Sequence, residues 1–136
     1  HIELVERPVS SVEQLRENFK MLGPRDADAF FYTADAMVVS QSEFIAETAI
    51  TNKLPTMFGE ISLITRGALA AYGVNFYDVG RLSAKYVQRI LTGIEPKDMP
   101  VEAVNKIDLA INLKTAKQIG LRIPPNVLAR ADRVIK

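Results

Sequence analysis

The chain has 136 residues, 48% of them hydrophobic and 24% charged, and its 17 Lys and Arg against 16 Asp and Glu leave a formal charge of +1. That length buries one domain's core without staples, and the balanced charge excludes the clustered basic surface that nucleic-acid binding needs. The lack of cysteine excludes thiol nucleophiles, disulfides and thiolate metal sites. No apolar run approaches the ~20 residues of a membrane-crossing helix, and no signal-peptide pattern opens the chain. The one histidine is His1, which reads as a cloning remnant, so the usual proton shuttle and zinc ligand sets are missing.

In chain order, residues 2–9 have the apolar content and length of a strand. Ser10 and Ser11, followed by Glu13 and Gln14, offer overlapping capping boxes. Val12, Leu15, Phe19 and Leu22 then recur at helical spacing until Gly23 and Pro24 stop the helix. Residues 29–33 (Ala-Phe-Phe-Tyr-Thr) read as a buried strand, and 34–39 as a loop or short apolar segment. Ser40 to Glu43 suggests another capping box, launching a helix through Phe44, Ile45, Thr48 and Ala49 to Asn52. Residues 55–58 give a third strand, Gly59 and Glu60 a turn, and 61–66 a short helix closed by Gly67.

The next stretch dominates the chain. Residues 68–72 read as a short buried strand, Gly73 as a turn, and 75–92 as a long amphipathic helix ended by Gly93. Phe76, Val79, Val87, Ile90 and Leu91 fall on one face and read as core, with Gly80 and Ser83 permitting close approach there. After Pro96 and Pro100 come a strand at 107–111, a helix capped by Asn112 and ending at Gly120, and a last helix at 126–135 begun by Pro124 and Pro125. Short strands alternating with helices and no hairpin signals predict an α/β fold with a doubly wound parallel sheet.

No phosphate-binding loop, dinucleotide fingerprint or nucleophile elbow is present. Arg25, Asp26 and Asp28 read as a solvated turn, and Arg81, Lys85 and Arg89 as a solvated helix face. No enzyme, cofactor or metal is therefore expected. In open parallel sheets ligands sit just beyond the carboxyl ends of strands, which selects Thr33 and Asp35, Phe58 and Glu60, and Tyr72. Thr33 offers a hydrogen bond. Asp35 either meets a ligand's ammonium or caps the next segment. Glu60 reads first as an acid at a helix N-terminus, Tyr72 as either a stacking or a packing ring, and Asn75 as a helix cap.

A family pattern is carried by 67–73 (GALAAYG), 75–80 (NFYDVG), 90–93 (ILTG), 99–102 (MPVE), 111–117 (INLKTAK), 120–125 (GLRIPP) and 128–132 (LARAD), with DAFFYTAD at 28–35 and PTMF at 55–58. Together these resemble the C-terminal half of ABC-transporter substrate-binding proteins, a family that includes tryptophan- and tyrosine-type binding components. The resemblance implies one lobe of a type I periplasmic-binding fold, in which two α/β lobes close on a small ligand like a hinge. It implies a non-catalytic, periplasmic or otherwise extracytoplasmic protein, as a lipoprotein or a free one, that delivers an amino-acid-like solute to a permease. Thr33, Asp35, Phe58, Glu60 and Tyr72 would be this lobe's ligand contacts.

A complete member is about twice this length. Residues 1–66 and 105–136 are then expected to form the lobe core, and 67–104 a crossover whose strand and helix belong to the absent lobe. The helix either folds back onto this lobe's own sheet or swaps into a second chain as a homodimer. Two alternatives stand beside the importer reading: a ligand-sensing module of a receptor such as a histidine kinase, and an enzyme of the α/β class.

Overall fold

Local signals start the chain's regular structure. Helix α1 (Val12–Met21) begins where Ser11 Oγ accepts from the Gln14 amide at 3.2 Å, while Gln14 Oε1 accepts from the Ser10 amide at 2.9 Å. Leu15 and Phe19, one turn apart, are buried on its inner face. The computed structural model describes residues 2–23, 25–32 and 35–136. His1, Pro24 of the expected helix stop, Thr33 at the end of the second expected strand and Ala34 after it lie outside the described residues.

Five strands form one sheet in sequence order: β1 (Phe30–Phe31), β2 (Thr56–Phe58), β3 (Ala70–Val74), β4 (Ile107–Asn112) and β5 (Arg133–Ile135). β1, β2 and β3 run parallel, as do β4 and β5, while β3 and β4 pair antiparallel, with Val74 opposite Ile107 and Gly73 opposite Asp108. The expected α/β class is borne out. The one antiparallel pair joins strands separated by more than thirty residues, so no hairpin signal announced it.

Phe58, Ile45, Leu63 and Ile64 are among the largest fully buried apolar side chains. They come from β2, from α3 (Ser42–Thr51) and from a 3-10 helix (Ile61–Arg66), and burying each contributes about 1.5–3 kcal/mol. Phe19, Phe30, Tyr32, Phe44 and Phe58 form a chain of edge-on and stacked rings, with Phe19 and Phe30 at 4.8 Å and Tyr32 and Phe58 at 4.9 Å between centroids. Helix α5 (Leu113–Ile119) packs on α3 and is tied to the 3-10 helix by Asn112, whose Oδ1 caps Thr115 at 3.1 Å and whose Nδ2 donates to Ile64 O at 3.2 Å.

Several expectations are corrected. Residues 2–9 form no strand: they pair with neither edge of the sheet, and Ile2, Leu4 and Val5 stay exposed. Ser40 caps nothing, since it ends helix α2 (Ala36–Ser40) and donates to Met37 O, and α3 starts without a side-chain cap. Gly73 is no turn but the fourth residue of β3, where a Cβ would lie 1.9 Å from Gly59 O. The helix begun by the paired prolines, α6 (Pro125–Leu128), lasts one turn, and the segment expected to continue it becomes β5, drawn into pairing with β4.

The largest correction concerns helix α4 (Phe76–Leu91). Its bounds and caps are as expected, with Asn75 Oδ1 accepting from the Tyr77 amide at 3.1 Å. Yet it buries no residue, and Phe76, Val87, Ile90 and Leu91 are exposed rather than core. The preceding strand is a middle strand of this sheet and does not leave it. The chain departs only after Val74, and α4 does not fold back onto the sheet. What α4 holds instead is the link that follows: Lys85 pairs with Glu102 at 2.9 Å, and the Tyr86 hydroxyl bonds to Pro100 O and accepts from the Glu102 amide.

Candidate functional site

Parallel pairing of β1, β2 and β3 brings their carboxyl ends to one edge of the sheet, and the antiparallel turnabout places the starts of β4 and β5 beside them. This is the edge at which such sheets hold ligands, and here it contains the point where strand direction reverses. A cleft of ≈ 440 Å³ opens there, lined by Ile61 and Ser62 after β2, Asn75 to Tyr77 after β3, Lys106 and Asp108 at the start of β4, and Asp132 and Arg133 at the start of β5.

The charged floor of the cleft is internally paired. Asp108 is 7% exposed, lies 2.7 Å from the Lys106 ammonium through Oδ1, and accepts from Asn75 Nδ2 at 3.3 Å through Oδ2. Lys106 also reaches Asp132 at 3.6 Å, and Asp132 Oδ2 takes the Leu109 amide at 2.9 Å. The Lys106 hydrogen bond holds the Asp108 carboxyl below its ordinary value against the opposing effect of burial, and Asn75 adds to the lowering. Asp108 pushes the Lys106 pKa up in return. Asp108 and Lys106 are therefore both charged at neutral pH. Among the described residues no group of acids or histidines is arranged to hold a metal ion.

Tyr32, beyond β1, lies at the same edge. It is 7% exposed, and its hydroxyl is buried with no hydrogen-bond partner among the described residues. Burial first, and the nearby Glu60 charge second, push its pKa up to about 12, with Arg66 opposing. An unpaired buried hydroxyl costs roughly 1–3 kcal/mol.

The residues selected from the sequence fare differently. Thr33 lies outside the described residues. Asp35 is exposed and caps α2, with Oδ1 accepting from the Met37 and Val38 amides at 2.9 and 3.1 Å. Phe58 is wholly buried and supports the edge from beneath through its contact with Tyr32. Glu60 stands at the start of the 3-10 helix without making a cap bond, half-buried and within electrostatic reach of Tyr32. Tyr72 is the middle residue of β3, not its end. Its half-exposed ring lies on the open face of the sheet, in a shallow depression with Met57, Leu109, Val127 and Arg130, away from the strand-end cleft. Sequence reasoning missed Tyr32, Lys106 and Asp108. A charge inside the apolar run Ile107 to Ile111 was the available signal for the last.

The family model described as ABC transporter substrate binding protein matches residues 1–135. The chain belongs to that family. Among curated relatives it is 24% identical over 120 residues to the tyrosine-binding protein of Clostridioides difficile, covering 88% of this chain and 34% of that protein. Among solved structures, a conserved domain protein from Vibrio cholerae aligns over 98% of this chain and 45% of its own, at 32% identity and a TM-score of 0.82. The ABC domain from Streptococcus pneumonia in complex with L-Trp aligns over 93% of this chain and 44% of its own, at 25% identity and a TM-score of 0.78. The chain thus spans between a third and a half of the length of each of these three relatives. The family is one of substrate-binding proteins, and this chain's sheet is of the kind seen in periplasmic-binding-type domains. No helix among the described residues is long and apolar enough to cross a membrane.

Proposed function

We propose that this chain is one lobe of an extracytoplasmic, non-catalytic solute-binding protein that serves an ABC importer. Its ligand is a small amino acid with an aromatic side chain, bound against the strand-end edge and covered by a second lobe. In this reading residues 1–75 and 105–136 form the lobe, and α4 with its link crosses to the other one. The crossover starts after β3, later than the boundary at residue 67 expected from sequence.

The observation that carries the reading is α4 itself. A 16-residue helix with Phe76, Val87, Ile90 and Leu91 uncovered stands beside the strand-end cleft, and an apolar face of that kind marks a docking surface. The names of the relatives, one a tyrosine-binding protein and one solved with L-Trp, support the ligand class. Asp35, through its uncapped oxygen, and Glu60 are the acids placed to meet an ammonium, and Thr33 a further polar contact. Tyr32 offers the ligand or its bound water a hydroxyl. Tyr72 is not assigned to this site. The permease would read the closed form, which ligand favours by the contacts it makes only there. Thermal unfolding of a two-lobed form containing this chain, with L-tryptophan and with L-tyrosine, tests the proposal: stabilisation by either supports it, and no shift with any amino acid removes the ligand class.

A further inference from the structure

We infer that Asn75 and Asp108 form a latch that sets the angle of α4 to the sheet, and so, on the two-lobe reading above, the rest position of the hinge. Val74 and Ile107, the last and first sheet residues around the excursion, are register partners, so the chain leaves and re-enters side by side. Between them α4 and its link are bound to each other through Lys85, Tyr86 and Glu102, and α4 buries nothing against the sheet. The excursion can therefore swing as one piece about two adjacent strands.

The Asn75 side chain spans that pivot. Its Oδ1 caps the first turn of α4 at the Tyr77 amide, and its Nδ2 donates to Asp108 Oδ2, so one planar amide couples the helix axis to β4. Asp108 is held in turn by Lys106, which leans on Asp132 before β5. Opposite Asp108 in the sheet is Gly73, with no side chain to crowd the pair. Asn112 is built alike, capping α5 while donating to Ile64 O, but there the whole construction is buried and its helix packed.

The test separates latching from capping. Asn75→Ser and Asn75→Asp both keep a good N-cap, but the first removes the donor to Asp108 and the second sets a carboxylate against it. Asn75→Asp combined with Asp108→Asn restores a donor and acceptor in reverse. The chain has no cysteine, so spin labels at Glu47→Cys on α3 and Arg81→Cys on α4 report the angle as an electron–electron distance. The latch predicts a broadened or shifted distance distribution in Asn75→Ser, a larger change in Asn75→Asp, and recovery in the reversed pair, with circular dichroism unchanged throughout. Distributions identical to the parent in all three would overturn the latch. That outcome would leave the two-lobe reading standing, because that reading fails instead when amino acids give no thermal shift in a two-lobed form containing this chain.

Discussion

At the scale of single residues, Tyr32 and Asp35 each carry a prediction. Tyr32 has its pKa raised to about 12, so its proton is retained by the folded state and lost by the unfolded state at lower pH. Its contribution is fully present below the ordinary tyrosine value of ~10 and is lost as pH rises through about 12. Ultraviolet titration of the chain, which has four tyrosines and no tryptophan, should show one tyrosinate forming only near pH 12. That step should vanish in Tyr32→Phe. Because the hydroxyl has no hydrogen-bond partner among the described residues, Tyr32→Phe should also leave stability unchanged or slightly higher, read by urea unfolding. Asp35 separates capping from binding. Asp35→Ala should cost about 0.5–2 kcal/mol through loss of the α2 cap, whereas Asp35→Asn keeps the cap. Weaker ligand binding by Asp35→Asn at unchanged stability would place the carboxylate on the ligand.

Among the elements, two glycines that look alike in sequence should respond in opposite directions. At Gly73 a Cβ would lie 1.9 Å from Gly59 O, so Gly73→Ala must push β3 from β2 and should cost at least about 1–3 kcal/mol. Gly80, inside exposed α4, has nothing within 4 Å of its added Cβ, and Gly80→Ala should stabilise the helix by about 0.5–1 kcal/mol. Denaturant unfolding of both variants checks the pair. The contrast also marks what was legible. Helix ends were readable because their causes are local: Asn75 and Asn112 as caps, Gly67 and Gly120 in the left-handed region at φ 106 and 75. Gly73 was misread because its reason is a carbonyl fourteen residues away. β5 was misread because a proline pair starts a helix locally, while only β4 makes a strand of Val134 and Ile135. The edge was legible, but its cleft was not. Strand ends pointed to Asp35, Phe58 and Glu60, none of which lines the cleft, whereas Lys106 and Asp108 join it only through the antiparallel pairing, and Tyr72 was displaced when β3 proved to run two residues further.

For the whole molecule, the uncovered α4 face has a consequence in solution. An exposed stripe containing Phe76, Val87, Ile90 and Leu91 should make this chain self-associate as concentration rises. Sedimentation velocity should show the mass rising, and Val87→Lys with Leu91→Lys should return a monomer. A dimer of that origin would be a substitute for the missing lobe, since the same face is assigned there. The central claim is that the strand-end edge grips an aromatic amino acid only when a second lobe covers it. The most direct measurement is thermal unfolding of this chain and of a two-lobed form containing it, each with L-tryptophan and with L-tyrosine. At about 100 times the dissociation constant, bound ligand stabilises by roughly 2.7 kcal/mol. The account predicts a stabilisation of that size in the two-lobed form and little or none in this chain alone. An equal shift in both, or none in either, would contradict it.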